Sequence, residues 1–193
     1  MKHLIYILIA ALLLVGCSSK PSKKAPSNEP AKWDHYTGPW FEFDYPSFMQ
    51  IAEERNEISD TIPGLKEGGD VYVYGDYLPY RFRLTKSAMF EVFDNPEQWR
   101  DLSIESKFGR YSSESESYLG VYETQDSLSF NGHPAASVTY AVLADNDTIV
   151  HHQLVVLAKP SMELYYLNFL APLDDYGNHE ALVDSVFNSI VLK

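Results

Sequence analysis

Apolar and polar residues alternate at strand spacing through most of the chain after residue 33, and helical spacing is clearest at two places. Within residues 33–45 (WDHYTGPWFEFDY), Phe41, Phe43 and Tyr45 share one face of a predicted strand that Pro46 ends. Residues 49–53 suit a return strand, and residues 58–69 form a loop carrying Pro63, Gly64, Gly68 and Gly69. Residues 71–74 and 80–84 read as two strands around a turn at Gly75-Asp76, while residues 86–93 are ambiguous and allow a helical turn. Asn95-Pro96-Glu97-Gln98 then carries the best helix-start signals: a capping Asn95, Pro96 at the first helical position, and Gln98 completing a capping box. Trp99, Leu102 and Ser106 share one stripe, Gly109 closes the helix, and residues 112–117 (SSESES) make a polar loop.

The second half is more regular. Residues 119–123 and 128–130 predict strand segments before Asn131-Gly132, a strong hairpin signal because both turn positions need φ > 0. Residues 135–143, 149–158 and 162–170 predict three antiparallel strands, separated by a turn at Asp145-Asn146-Asp147 and another at Lys159-Pro160-Ser161. Residues 154–158 (LVVLA) are apolar on both faces, so this strand is expected to be covered on both sides by helices. Leu182, Val183, Val186, Phe187 and Ile190 recur at helical spacing after Asp174-Asp175 and supply one of them. The expected fold is a single α+β domain over residues 33–193, an antiparallel β-sheet flanked by helices.

The first 32 residues follow a different pattern. Residues 4–15 (LIYILIAALLLV) are uninterruptedly apolar after a charged start, but shorter than the roughly 20 residues that span a bilayer. They stop at the small-residue junction Gly16-Cys17-Ser18-Ser19, as a signal peptide of residues 1–16 does. Leu14-Val15-Gly16-Cys17 resembles the bacterial lipobox, which implies cleavage between Gly16 and Cys17 and a diacylglyceryl thioether, with palmitate-class acyl chains, on Cys17. A plain secretory signal or an uncleaved anchor helix are the alternatives. Cys17 is the only cysteine and lies where the lipobox requires it, which favours lipidation. Stable anchoring takes about two acyl chains, and a diacylglyceryl group supplies both. Ser18 in place of Asp implies outer-membrane sorting, and residues 18–26 lack a surface-export acidic cluster, so the expected location faces the periplasm.

Residues 17–32 are rich in Ser, Pro and Lys and predict a solvated tether. From Trp33 onward ten Lys+Arg stand against twenty-six Asp+Glu, a net charge of −16. Such a body is repelled by an anionic bilayer and is expected to stand off it on the basic tether. Nucleic acid is excluded as a partner, because neutralising phosphates needs a basic face. A cationic partner or bound divalent cations stay compatible with the charge.

A family resemblance rests on the order of several pieces. An aromatic strand ends in Tyr-Pro (Tyr45-Pro46), an FNGHPA turn spans residues 130–135, a YYLNF strand spans residues 165–169, and an amphipathic helix ends in Phe187-Asn188-Ser189-Ile190. Over roughly residues 40–192 the chain resembles the PsbP-like superfamily, named after an extrinsic subunit of the oxygen-evolving photosystem. The resemblance implies an antiparallel sheet with helices on both faces (an α/β/α sandwich), and binding or assembly in place of catalysis.

Candidate chemistry is sparse. His151 and His152 are adjacent on a strand, point to opposite faces, and cannot chelate one metal together. His35, His133 and His179 lack metal-site spacing, and Asp145-Asn146-Asp147 lacks the alternation and closing Glu of an EF-hand. Asp174-Asp175 reads as a helix start favoured by the dipole. The chain has no G-x-S-x-G, H-E-x-x-H, phosphate-cradling glycine loop or usable cysteine nucleophile. Trp33, Tyr36, Trp40, Tyr72, Tyr74, Tyr77 and Tyr80 can form a ligand or sugar platform, or simply core. The expected function is a membrane-anchored, non-catalytic envelope lipoprotein, without catalytic residues, cofactor or metal, that binds an envelope protein or small ligand. The alternative is an envelope hydrolase or metal-dependent enzyme with a site assembled from scattered Asp, Glu and His.

Overall fold

Alternation at period two dominates the sequence, and in the computed structural model it produces two antiparallel sheets within the unit Lys32–Lys193. The structure describes residues 32–55, 68–76, 78–87, 93–110, 116–144, 146–159 and 161–193. Gly16, Cys17, Tyr77, Asp145, Pro160, the rest of residues 1–31 and most of the expected loops at 58–69 and 112–117 lie outside the described residues.

The chain begins with β1 (Trp33–Thr37) and β2 (Phe41–Pro46), then β3 (Gln50–Arg55), β4 (Gly69–Tyr74) and β5 (Arg81–Lys86). Helix α1 (Pro96–Arg110) precedes four long strands, β6 (Glu116–Phe130), β7 (His133–Ala144), β8 (Asp147–Ala158) and β9 (Glu163–Pro172). A single helical turn α2 (Leu173–Tyr176), a 3-10 turn (Gly177–His179), α3 (Glu180–Ser189) and the short β10 (Val191–Leu192) finish it. The large sheet has the order β3-β4-β5-β9-β8-β7-β6, and the small one β1-β2-β10.

The strand predicted over 33–45 is divided by Gly38-Pro39-Trp40 into a hairpin. The expected return strand does not return onto β2. Pro46 has no N–H to extend the ladder, Met49 N–H closes a turn on the Pro46 carbonyl at 2.9 Å, and β3 leaves to pair with β4 in the large sheet. The two strand segments expected at 119–123 and 128–130 are one strand, β6, with register shifts that absorb the polar residues between them. Helix α1 docks on one of these irregularities: Glu97 accepts the Ser127 N–H at 2.9 Å, and Arg100 pairs with Asp126.

Several signals hold. Asn95 Oδ1 accepts the Gln98 N–H at 2.9 Å, and Asn131 and Gly132 both have positive φ, 52° and 80°. Gly109 does not close α1, which continues to Arg110, and Ser106 faces solvent while Ser103 meets the sheet.

One face of the large sheet is covered by the small sheet and α3, and the β6–β9 part of the other by α1. On one, Val73, Phe82, Leu84, Val156, Leu167 and Phe169 pack against Phe41 and Phe43 of β2 and Val186 and Phe187 of α3. This second layer is therefore the expected helix, α3, together with a small sheet. On the other face α1 sets Trp99 against Val155 and Leu164, and Ile104 against Val138, Tyr140 and Val142. The strand LVVLA is enclosed as its composition requires. At β4 an added Cβ on Gly69 would collide with the Trp40 ring and the Glu54 carbonyl, so only glycine lets the small sheet seat there.

Candidate functional site

Helix α1 covers the β6–β9 side of its sheet face, and it leaves the β3-β4-β5 side open. Alternation in β5 (RFRLTK) sends Phe82 and Leu84 into the core and Arg81, Arg83 and Thr85 to this open side. Register places Tyr72 of β4 opposite Arg83 and Ala52 of β3 opposite Tyr72. A cleft of about 530 Å³ results, lined by Glu54, Tyr72, Tyr74, Asp76, Leu78, Tyr80, Arg81, Ile149 and Leu170 among others. Its size is that of a small-molecule site.

A polar row runs along this sheet face from Glu54 and Tyr72 of the cleft to beneath α1. Ser103 Oγ donates to Gln153 Oε1 (3.0 Å), Gln153 Nε2 to Asn168 Oδ1 (2.8 Å), and Asn168 Nδ2 to the Arg83 carbonyl (3.2 Å). Arg83 donates twice to Asp70, at 3.0 and 2.9 Å, and lies over the Tyr72 ring at 5.5 Å. Thr85 Oγ1 also bonds Asp70, and the Tyr72 hydroxyl donates to Glu54 at 3.3 Å. Asp70 is buried and wholly engaged. The hydrogen bond to Asp70 is the chief influence holding the Arg83 pKa above its ordinary value.

A second groove lies on the opposite sheet face, beside α3. His152, Tyr176 and Glu180 line both a hollow of about 400 Å³ toward Tyr122 and Glu123 and one of about 160 Å³ toward Val183 and Asp184. His152 Nδ1 is 3.0 Å from Thr139 Oγ1, and its ring lies 6.2 Å from that of Phe187. Burial lowers its pKa below the ordinary 6.5, outweighing the opposite pull of Glu123 and Asp184. The unfolded chain therefore takes up this proton first on acidification. The stabilising contribution of neutral His152 is complete above pH 6.5 and is lost as pH falls from there toward the folded-state value. Thermal melts between about pH 7 and 5 should show a steeper loss of stability for wild type than for His152→Gln, and parallel profiles would refute the assignment.

The structure separates most of the residues whose type and spacing suggested chemistry. His151 stacks on Tyr140 (centroids 4.8 Å, 16°) on the α1 side, and His152 faces α3, so the pair points to opposite faces as expected. His35 meets Asp44 at 2.8 Å, His179 meets Asp175 at 2.9 Å, and His133 Nδ1 accepts the Lys159 N–H at 3.3 Å. Among the described residues no three His, Cys, Asp or Glu side chains gather as a metal site. Asn146 has φ 71° and serves the β7–β8 turn, while Asp174 and Asp175 open α2. Of the aromatic candidates Tyr36, Trp40 and Tyr80 are buried in the core, Trp33 is exposed, and Tyr72 and Tyr74 line the cleft. Arg81, Arg83 and Asp70 carry no motif that marks them in the sequence. The polar positions of RFRLTK, alternating with Phe82 and Leu84, are the one available signal.

No protein-family model matches the chain, and no curated protein matches it. Among solved structures the chain is similar to cyanobacterial PsbP (CyanoP) from Synechocystis sp. PCC 6803, with TM-score 0.56 and 14% identity over 90% of this chain and 100% of that one. The likeness establishes a PsbP-like α+β fold. Looser superpositions reach PA94 of Pseudomonas aeruginosa, a protein of unknown function (TM-score 0.45, 13% identity, 83% and 97% covered). They also reach LpqN of Mycobacterium tuberculosis, involved in cell envelope biogenesis (TM-score 0.39, 9% identity, 86% and 87% covered). Neither carries weight for fold or role.

Proposed function

We propose that this PsbP-fold protein is a membrane-anchored envelope lipoprotein of binding or assembly type, without catalysis of its own. Cleavage between Gly16 and Cys17 and lipidation of Cys17 hold it on the outer membrane, facing the periplasm, with residues 17–32 as the tether. The observation that supports a binding role is the cleft beside β4 and β5. It brings aromatic rings, Tyr72 and Tyr74, together with the polar groups of Glu54, Asp76 and Arg81 on one stretch of sheet. Palmitate labelling and intact mass test the anchor. Cys17→Ser abolishes the label and leaves residues 1–16 on the chain, whereas a free thiol at Cys17 in wild type refutes the anchor. Crosslinking of the lipidated protein in intact envelopes should return a consistent partner or ligand, and an empty result across growth conditions counts against a binding role.

A hydrolytic reading is favoured by one observation, the half-buried His152 beside Glu123, Glu180 and Asp184. It requires hydrolysis of some ester, amide or glycoside probe that His152→Gln abolishes at unchanged fold. Inert behaviour of the wild type on such probes removes it.

A further inference from the structure

Among the described residues most of the domain's arginines and lysines pair with an acid. Arg55 pairs with Glu53 (3.8 Å), Lys86 with Glu163 (2.8 Å), Lys193 with Glu42 (2.7 Å), Arg83 with Asp70, and Arg100 with Asp101 and Asp126. Arg81 lines the cleft, is exposed, and has no side-chain partner among the described residues. Acids are close at hand but turned elsewhere: Glu54 accepts the Tyr72 hydroxyl, and Asp76 accepts the Gln50 amide at 3.3 Å. In a body of net charge −16, Arg81 places one positive charge on a cleft wall that also holds Glu54 and Asp76. Tyr74, Leu78, Pro79, Ile149 and Leu170 supply the apolar and aromatic part of the same lining.

We propose that the cleft takes an amphipathic anion, its acid group on Arg81 and its apolar body against Leu78, Ile149, Leu170 and the Tyr74 ring. This rests on the reading of the cleft as the domain's binding site and names the ligand class. Guanidinium binds carboxylate and phosphate alike through paired N–H donors, so both acid groups fit the geometry. Glu54 and Asp76 on the same wall repel additional negative charge, so the site favours a single charge over a polyanion. The apolar lining supplies affinity through burial, and Arg81 supplies orientation.

Calorimetry on the full chain in lipid nanodiscs, with octanoate, octyl phosphate and octanol as probes, tests this. Octanoate binds about tenfold or more tightly than octanol, because a hydrogen-bonded charge pair is added to the same chain burial. The ratio of octyl phosphate to octanoate identifies which acid group the site prefers. Arg81→Gln brings octanoate down to the octanol level and leaves octanol unchanged, and Arg81→Lys restores part of the difference. Arg81 is exposed on its strand, so a circular-dichroism melt of each variant should match wild type. Equal binding of octanol and octanoate, or an unchanged octanoate affinity in Arg81→Gln, overturns the anion assignment and leaves the cleft as a neutral site. Failure of all three probes also overturns it, while acylation of Cys17 and a crosslinked envelope partner would leave the lipoprotein reading intact.

Discussion

Trp99→Ala lowers the unfolding free energy by about 3–5 kcal/mol, the range for deleting a large buried aromatic. Trp99 is 2% exposed and is the main anchor of α1, with Val155 and Leu164 beneath it and the Phe93 ring at 5.2 Å. Its indole N–H donates to the Phe93 carbonyl at 3.1 Å, so truncation also strands a backbone acceptor. The other ties of α1 are Ile104 on Val138, Tyr140 and Val142, Arg100 to Asp126, Glu97 to the Ser127 N–H, and Ser103 to Gln153. Apart from Val138, Tyr140 and Val142 under Ile104, the core lies on the other sheet face, so the loss concentrates in the α1 layer. Urea unfolding reads the effect as a fall in midpoint at unchanged slope. Trp99→Phe, which keeps most of the packing, recovers more than half of the loss. A loss below about 1 kcal/mol for Trp99→Ala would show that α1 is not held by this residue.

Asp70→Ala costs about 2–3 kcal/mol. Removing one member of a fully buried ion pair costs about 3–5 kcal/mol, but the Arg83 side chain is 48% exposed and reaches solvent once freed, so the figure is discounted. The Asp70 side chain, 13% exposed, receives two N–H bonds from Arg83 and one hydroxyl bond from Thr85. Asp70→Asn keeps the shape and one acceptor oxygen, and loses about half as much. Arg83→Ala strands the carboxylate instead. The double variant Asp70→Ala/Arg83→Ala therefore loses less than the sum of the single ones. Denaturant curves for the four proteins close this cycle, and strict additivity would mean that the two side chains act independently.

Local signals carried much of the fold. The Asn95 cap, the Asn131-Gly132 turn, the two-sided apolar strand over 154–158 and the opposite faces of His151 and His152 all follow from neighbours a few residues apart. What sequence could not show depends on pairings between distant residues. Gln153 and Asn168 are 15 apart in the chain, and Asn168 and Arg83 are 85 apart. Each reads as an ordinary polar strand residue until β5, β9 and β8 come side by side. The departure of β3 to the large sheet is of the same kind, because alternation specifies a face and not a partner. The cleft itself arises from where α1 stops covering the sheet. No periodicity in β3, β4 or β5 encodes that boundary.

The small sheet draws its strands from opposite ends of the domain. Strand β2 lies between β1 and β10, the Lys193 N–H bonds the Trp40 carbonyl at 3.0 Å, and the Tyr165 hydroxyl donates to the Lys193 carbonyl at 2.6 Å. Residues 191–193 are thus a late stitch over a core whose other strands, β1 to β9, all precede them. Until they leave the ribosome, β2 keeps an open flank and the Tyr165 hydroxyl lacks the Lys193 carbonyl. The small sheet therefore closes late in synthesis, when β10 docks beside β2.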